Sequence, residues 1–197
     1  MNELANRPMK LMAGGGRPQL IAGVSPTGEA MVAKVGLKFI ENALADPCPI
    51  SALEKLAWAW GLRADSTRHS FGLSEPEYHV QLCRIYLGEV GNGGHLQYFL
   101  NRGLKYLDDT LHALGEVGLH EHRTILSAAA QVLGGRIREL NAVEAHDYIE
   151  RLGLVKSWAL GRLDKRCWHC SNDTDAVLVA YLVAHRGEWT NEIAGQR

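Results

Sequence analysis

The sequence predicts an all-α protein, folded as a single compact domain of about seven to nine helices. Apolar residues recur with the 3.6-residue period of amphipathic helices in one segment after another. Capping patterns and glycines mark where those segments start and stop. Residues 176–184 are rich enough in β-branched side chains to resemble a strand, but the sequence contains no partner strand for them. A purely helical architecture is therefore the consistent prediction.

The first helix is predicted to follow a glycine-rich N-terminal segment. Residues 1–24 contain Gly14-Gly15-Gly16 and are expected to be flexible, so the helical domain is predicted over residues 25–190, with a tail at 191–197. Ser25 followed by Pro26 reads as a helix cap and first turn. The apolar stripe that follows continues until Asp46 and Pro47.

Two capping boxes organise the next part of the chain. One begins at Ser51 and predicts a helix that ends near Gly61. The other begins at Ser74, with Glu77 three residues later, and predicts a helix that residues 91–94 interrupt with three glycines. A short amphipathic helix is expected to resume and to end near Gly103.

The C-terminal half continues in the same manner. Helices are predicted over about 107–117 and 119–133, ended by Gly118 and Gly134. A further helix follows the cap-like Asn141 and ends at Gly153. The last two helices are expected at about 156–168 and 175–185.

Composition and charge exclude several classes of protein. The chain has 197 residues, with 21 Lys and Arg against 22 Asp and Glu, a formal net charge of −1. This balance argues against a nucleic-acid-binding protein, which usually carries a basic excess. We expect no secretory leader and no membrane span, since the longest apolar run is about half the required ~18 residues. The predicted location is the cytoplasm, with all four cysteines reduced.

Two clusters of possible metal ligands are weak candidates. Cys167 and Cys170 have the spacing of a zinc or redox pair, but no second ligand pair accompanies them and no strand precedes them. His112, Glu116 and His120 are spaced by four, but glycines interrupt their helix, so we interpret them as solvated helix-end residues. We therefore predict no metal, no cofactor and no catalytic residue, with the cysteine pair as the weak metal candidate.

The most informative segment spans residues 89–101. Its glycines permit a tight corner between helices, and Gln97 and Asn101 project from one helix face beside that corner. These amides either satisfy backbone groups of the corner or form a polar recognition pocket. The candidate binding residues are Glu89, Asn92, Gly93, Gly94, His95, Gln97, Tyr98 and Asn101.

This segment resembles the DNA-mimic-protein-like family, a bacterial family of all-helical domains of unknown function. The resemblance rests on Glu-Val at 89–90, Asn-Gly-Gly at 92–94, and the Gln, aromatic and Asn residues of the short helix at 97–101. It extends over about residues 50–190 through Ala113-Leu114 and Gly118, then Leu163-Asp164 and the closing helix. The resemblance implies an all-helical fold and a protein partner.

Three functions follow from these observations. We expect a non-enzymatic module that binds another protein in a regulatory, inhibitory or toxin-immunity role, since no catalytic constellation is complete and five tryptophans suit an interface. The sequence leaves open a metal-dependent or hydrolytic enzyme that uses the corner segment or the cysteine pair. The third is a DNA mimic that occupies a DNA-binding protein, which the net charge disfavours. A homodimer is compatible with this class.

Overall fold

The structure, a computed structural model, describes residues 37–64, 73–102, 104–134, 142–170 and 173–188. Within these ranges it contains eight helices of eight or more residues and no strand, which confirms the all-α prediction. The predicted N-terminal segment 1–24 and the tail 191–197 lie outside the described residues. The helices are α1 (Leu37–Leu44), α2 (Pro49–Ala64), α3 (Glu75–Arg102), α4 (Leu107–Glu116), α5 (His120–Leu133), α6 (Ala142–Glu150), α7 (Leu154–Trp168) and α8 (Thr174–Ala184).

Glycines end the helices in the middle of the chain where the sequence predicts it. Gly118 follows α4 and Gly134 follows α5, each with a φ of 89°. This left-handed conformation is open to glycine because it has no Cβ, and it turns the chain out of the helix. The predicted ends of both helices are therefore confirmed.

The start of α2 differs from the prediction. The helix begins at Pro49, before Ser51, and continues past Gly61 to Ala64. Asp46 stabilises the turn that precedes the helix, because its carboxylate accepts hydrogen bonds from the Cys48 N–H at 2.9 Å and the Ser51 hydroxyl at 2.8 Å. Lys55 also donates to this carboxylate, and with the Cys48 and Ser51 bonds it lowers the pKa of Asp46 to about 2. The Ser51 hydroxyl thus binds an aspartate three positions before the first helical residue, and Ser51 lies inside the helix instead of capping it.

The capping box at the start of α3 joins two helices. The Glu77 carboxylate accepts a hydrogen bond from the Ser74 N–H at 3.0 Å and from its hydroxyl at 2.8 Å. Its other oxygen accepts the indole N–H of Trp60, on α2, at 3.0 Å. All three side chains are buried, so the cap satisfies polar groups that burial would otherwise leave unpaired.

Helix α3 is the centre of the core. It packs against α4, α6, α7 and α8, while α2 joins α1 to α8. Large side chains from several helices fill the interior: Trp60, Tyr86, Tyr98, Phe99, Leu114 and Ile125. Because α3 contacts four other helices, a bend in α3 affects where those helices lie.

None of the helices in the described ranges is long and apolar enough to cross a membrane.

Candidate functional site

Helix α3 bends at a corner formed by Gly93 and Gly94. Gly94 has φ 77° and ψ −176°, a conformation essentially restricted to glycine. A Cβ at Gly94 would lie 2.7 Å from Cγ of Asp164 and closer still to one of its oxygens. The missing side chain therefore lets Asp164, on α7, approach the backbone of α3. The corner predicted from sequence exists, and it is also the point where α7 docks.

A buried chain of hydrogen bonds runs through this contact. Oδ1 of Asp164 accepts from the His95 backbone N–H at 2.8 Å and lies 2.5 Å from His95 Nδ1. His95 Nε2 lies 3.1 Å from the Tyr86 hydroxyl, which is 3.8 Å from the Cys167 thiol. Since a carboxylate only accepts, Nδ1 carries the proton and Nε2 accepts from Tyr86. Burial, together with the nearby Cys167, raises the pKa of Tyr86, so its hydroxyl stays protonated.

Glu89 connects the part of α3 before the corner to the part after it. It lies before the corner and accepts hydrogen bonds from three residues after it: Gln97 Nε2 at 3.1 Å, Asn101 Nδ2 at 2.7 Å and Arg102 Nε at 3.1 Å. Partial burial alone would raise the pKa of Glu89, but the amides of Asn101 and Gln97 and the charge of Arg102 hold it below its ordinary value. The ionised carboxylate thus stabilises the bend.

Three of the eight candidate binding residues thus meet at one point, namely Glu89, Gln97 and Asn101. Asn92 is exposed, and its side chain makes no hydrogen bond to the rest of the described chain. Gly93 is also exposed. Direct contact with a partner at these exposed positions stays a prediction.

The remaining three candidates, Gly94, His95 and Tyr98, are buried, and a binding role for them stays a prediction. Gly94 lies against Asp164. His95 is fully buried, and its ring is hydrogen-bonded to Asp164 and Tyr86. Tyr98 lies in the core, where its hydroxyl donates to Thr110 at 3.1 Å. Their polar atoms are used within the fold, because a sharp backbone corner in the interior needs internal partners.

The cysteine pair lies at the end of α7. Cys167 is buried beneath Tyr86, and the thiol of Cys170 donates to the Arg166 carbonyl at 3.5 Å. Burial raises the pKa of both thiols, that of Cys170 to about 11 with help from the charge of Glu121. A protonated thiol is a poor nucleophile, so neither cysteine has the reactivity of a redox cysteine. The structure contains no disulfide among the four cysteines, all of which lie in the described ranges.

The outer face of α7 carries large apolar side chains into solvent. Leu154 is 90% exposed, Val155 80% and Trp158 66%. The guanidinium of Arg162 lies 5.1 Å from the centre of the Trp158 ring, a cation–π distance that restrains the indole. We refer to Leu154, Val155, Trp158 and Arg162 as the α7 face. Sequence reasoning missed it, although the i, i+1, i+4 spacing of the apolar residues was a readable signal.

Anchors at both ends hold α7 in place. Near its start, Lys156 Nζ donates to the Leu133 carbonyl at the end of α5 at 3.1 Å, and Tyr148 from α6 donates to the same oxygen at 2.8 Å. At its end, the indole of Trp168 donates to the Val90 carbonyl beside the glycine corner at 3.2 Å. With the Asp164 contact, these bonds fix the direction in which the α7 face points.

These features define an all-helical domain in which the glycine corner of the central helix α3 contacts the buried side of α7. The family model described as DMP19-like protein matches residues 72–185, more than half of the chain, and the chain belongs to this family. The match contains the whole of the corner and of α7. No curated protein and no solved structure matches the chain.

Proposed function

We propose that the chain is a non-enzymatic protein-binding module that presents the α7 face to a partner protein, in a regulatory, inhibitory or toxin-immunity role. The exposure of Leu154, Val155 and Trp158 on one helix carries this proposal. Burying a leucine or valine side chain contributes about 1.5–3 kcal/mol, and tryptophan is enriched among the residues that dominate binding energies. Three such side chains side by side are enough to anchor an interface.

The anchoring of α7 supports the same proposal. A helix held at Lys156, Asp164 and Trp168 keeps its outer face in one orientation before a partner arrives. Binding then loses less conformational entropy than it would with a mobile helix. In this view the glycine corner serves binding indirectly, by seating α7, and the predicted polar pocket is part of that support.

The charge of α7 favours a protein contact over phosphate mimicry. The helix carries Lys156, Arg162, Lys165 and Arg166 against one acidic residue, Asp164. A DNA mimic needs a dense surface of negative charge, because duplex DNA has about one charge per 1.7 Å of its axis. A partner surface with apolar side chains and an acidic rim complements the α7 face better.

The buried chain at the corner gives little support to hydrolysis. Asp164, His95 and Tyr86 have the order of a proton relay, but His95 is enclosed and Tyr86 is 0% exposed. A general base must reach a substrate proton within about 3 Å or through one water. The relay geometry is better explained by the need to satisfy polar groups at a buried corner.

Site-specific photo-crosslinking in the native host tests the proposal. A benzophenone amino acid at position 158 should crosslink one dominant host protein, and the same amino acid at position 50 should not. Ile50 is 56% exposed and lies on α2, so it is a matched control. The combined change Leu154→Ser and Val155→Ser should abolish the crosslink at position 158 while the circular dichroism spectrum stays unchanged.

The other outcomes are equally informative. A crosslink only to a second copy of the chain, or equal yields from positions 158 and 50, would overturn the proposal. Loss of the captured partner on addition of duplex DNA, with capture insensitive to the serine changes, would point instead to DNA mimicry.

A further inference from the structure

A group of metal-ligand side chains lies where α3 begins and α4 passes. Glu75 and His79 are one turn apart on α3, and His112 projects from α4. Their donor atoms all lie within 4.8 Å of one another, and Glu75 Oε1 is 3.9 Å from His79 Nε2. The rings of His79 and His112 meet edge to face with centroids 5.3 Å apart.

A hydrogen bond from α8 orients the central histidine. Nδ1 of His79 is 2.9 Å from the Tyr181 hydroxyl, which leaves Nε2 directed toward Glu75. Metal-binding histidines in proteins are usually held in this way, with one ring nitrogen on the metal and the other on an outer partner. Burial lowers the pKa of His79, while the charge of Glu75 acts in the opposite direction.

Further groups complete the surroundings. Glu116 is one turn after His112 on α4, and His185 follows α8 with its ring 4.2 Å from that of Tyr181. Glu75 and His112 are exposed while His79 is buried, so the three donors form an open-sided cradle with one rigid and two adjustable members.

We propose that Glu75, His79 and His112 bind a divalent transition-metal ion of the zinc class. Two imidazoles and one carboxylate are a zinc-binding set that leaves a coordination position open. Zinc holds such ligands at about 2.0–2.2 Å, which places tetrahedral donor atoms roughly 3.3 Å apart. The donor atoms lie within 4.8 Å of one another, so each pair must approach by about 1.5 Å at most. Rotation of the exposed Glu75 and His112 side chains can bring them together. The site shares no residue with the α7 face.

Isothermal titration of the metal-free full-length chain with zinc chloride tests the proposal. We expect one zinc ion per chain, with an affinity about 100-fold weaker in His112→Ala and Glu75→Gln. Tyr181→Phe should weaken binding about 10-fold, the usual effect of removing an outer partner. His146→Ala is the matched control, because His146 forms an exposed pair with Glu150 one turn away, at 3.4 Å, but is not part of the three-ligand group. Its affinity should stay within about twofold of the wild-type value.

Two further measurements separate this site from its rivals. Zinc at 100 times its dissociation constant should raise the melting temperature by roughly 5–10 °C in the wild type and in His146→Ala, but not in His112→Ala. The cobalt-loaded chain should show visible d–d bands without a sulfur charge-transfer band. No zinc binding, undiminished binding in His112→Ala, or a sulfur band that Cys170→Ser removes would each overturn the proposal.

Discussion

Replacing Gly94 with alanine tests the role of the glycine corner directly. The substitution adds one methyl group at φ 77° and ψ −176°, which for a residue other than glycine costs about 1–3 kcal/mol. The added carbon would also lie 2.7 Å from Asp164 Cγ, closer than real Cβ contacts allow. Asp164 must therefore move away from the backbone it now holds.

The movement of Asp164 adds to the backbone strain. Its carboxylate accepts the His95 backbone N–H at 2.8 Å and faces the imidazole at 2.5 Å. Hydrogen bonds to charged groups contribute about 1.5–3 kcal/mol each, and the displaced carboxylate loses at least one. We expect Gly94→Ala to lower the free energy of unfolding by about 3–5 kcal/mol, a large share of the 5–15 kcal/mol typical of a domain.

Urea unfolding followed by circular dichroism measures this change, as a shift of midpoint at constant m-value. Gly91→Ala is the matched control three residues earlier: its Cβ would meet nothing within 4 Å, so the change should stabilise α3 by about 0.5–1 kcal/mol. Gly118→Ala isolates the backbone effect, since Gly118 has a positive φ in open space. If Gly94→Ala unfolds at the same urea concentration as Gly118→Ala, the Asp164 contact has no energetic role and the reasoning fails.

Three other predictions concern the corner and the thiols. Glu89→Gln should cost about 1–2 kcal/mol at pH 7. Because the pKa of Glu89 is lowered, its ionised carboxylate stabilises the fold fully above the ordinary value of 4.5, and this stabilisation is lost as the pH falls through the lower pKa of the folded state. The substitution should therefore flatten the loss of stability at acid pH; urea midpoints at pH 3.5 and 7 give the comparison, and parallel pH profiles would contradict it. Tyr86→Phe should cost about 1–3 kcal/mol by leaving His95 Nε2 without its partner, and an unchanged melting temperature would argue that the bond contributes nothing. Iodoacetamide at pH 8 should alkylate the exposed Cys48 first and leave Cys83 unmodified until the chain unfolds, because burial raises the pKa of Cys83 to about 12. Peptide mass spectrometry identifies the modified site. Early labelling of Cys83 would show that the core opens locally.

The local features of the fold were predictable because their causes are local. Amphipathic periodicity, the Ser74 capping box and the terminating glycines at 118 and 134 each act within one or two helical turns, and the structure has them where the sequence indicates. The start of α2 was mispredicted for a related reason. Serine is a good cap, but Pro49 is also favourable in the first turn of a helix, and the pattern alone does not say which of the two residues begins it.

The sequence by itself determined an all-α domain, the glycines that end α4 and α5, its family and a corner at residues 91–94 lined by amides. Only the tertiary structure decided what meets that corner: Asp164 comes to His95 from 69 positions along the chain, and Trp168 comes to Val90 from 78. The same holds for His112, which reaches Glu75 and His79 through the packing of α4 on α3, and for the α7 face, which is exposed because no described helix covers it. Periodicity shows that a helix has an apolar or polar side, but which sides face each other depends on how remote segments pack, and no local pattern contains that information.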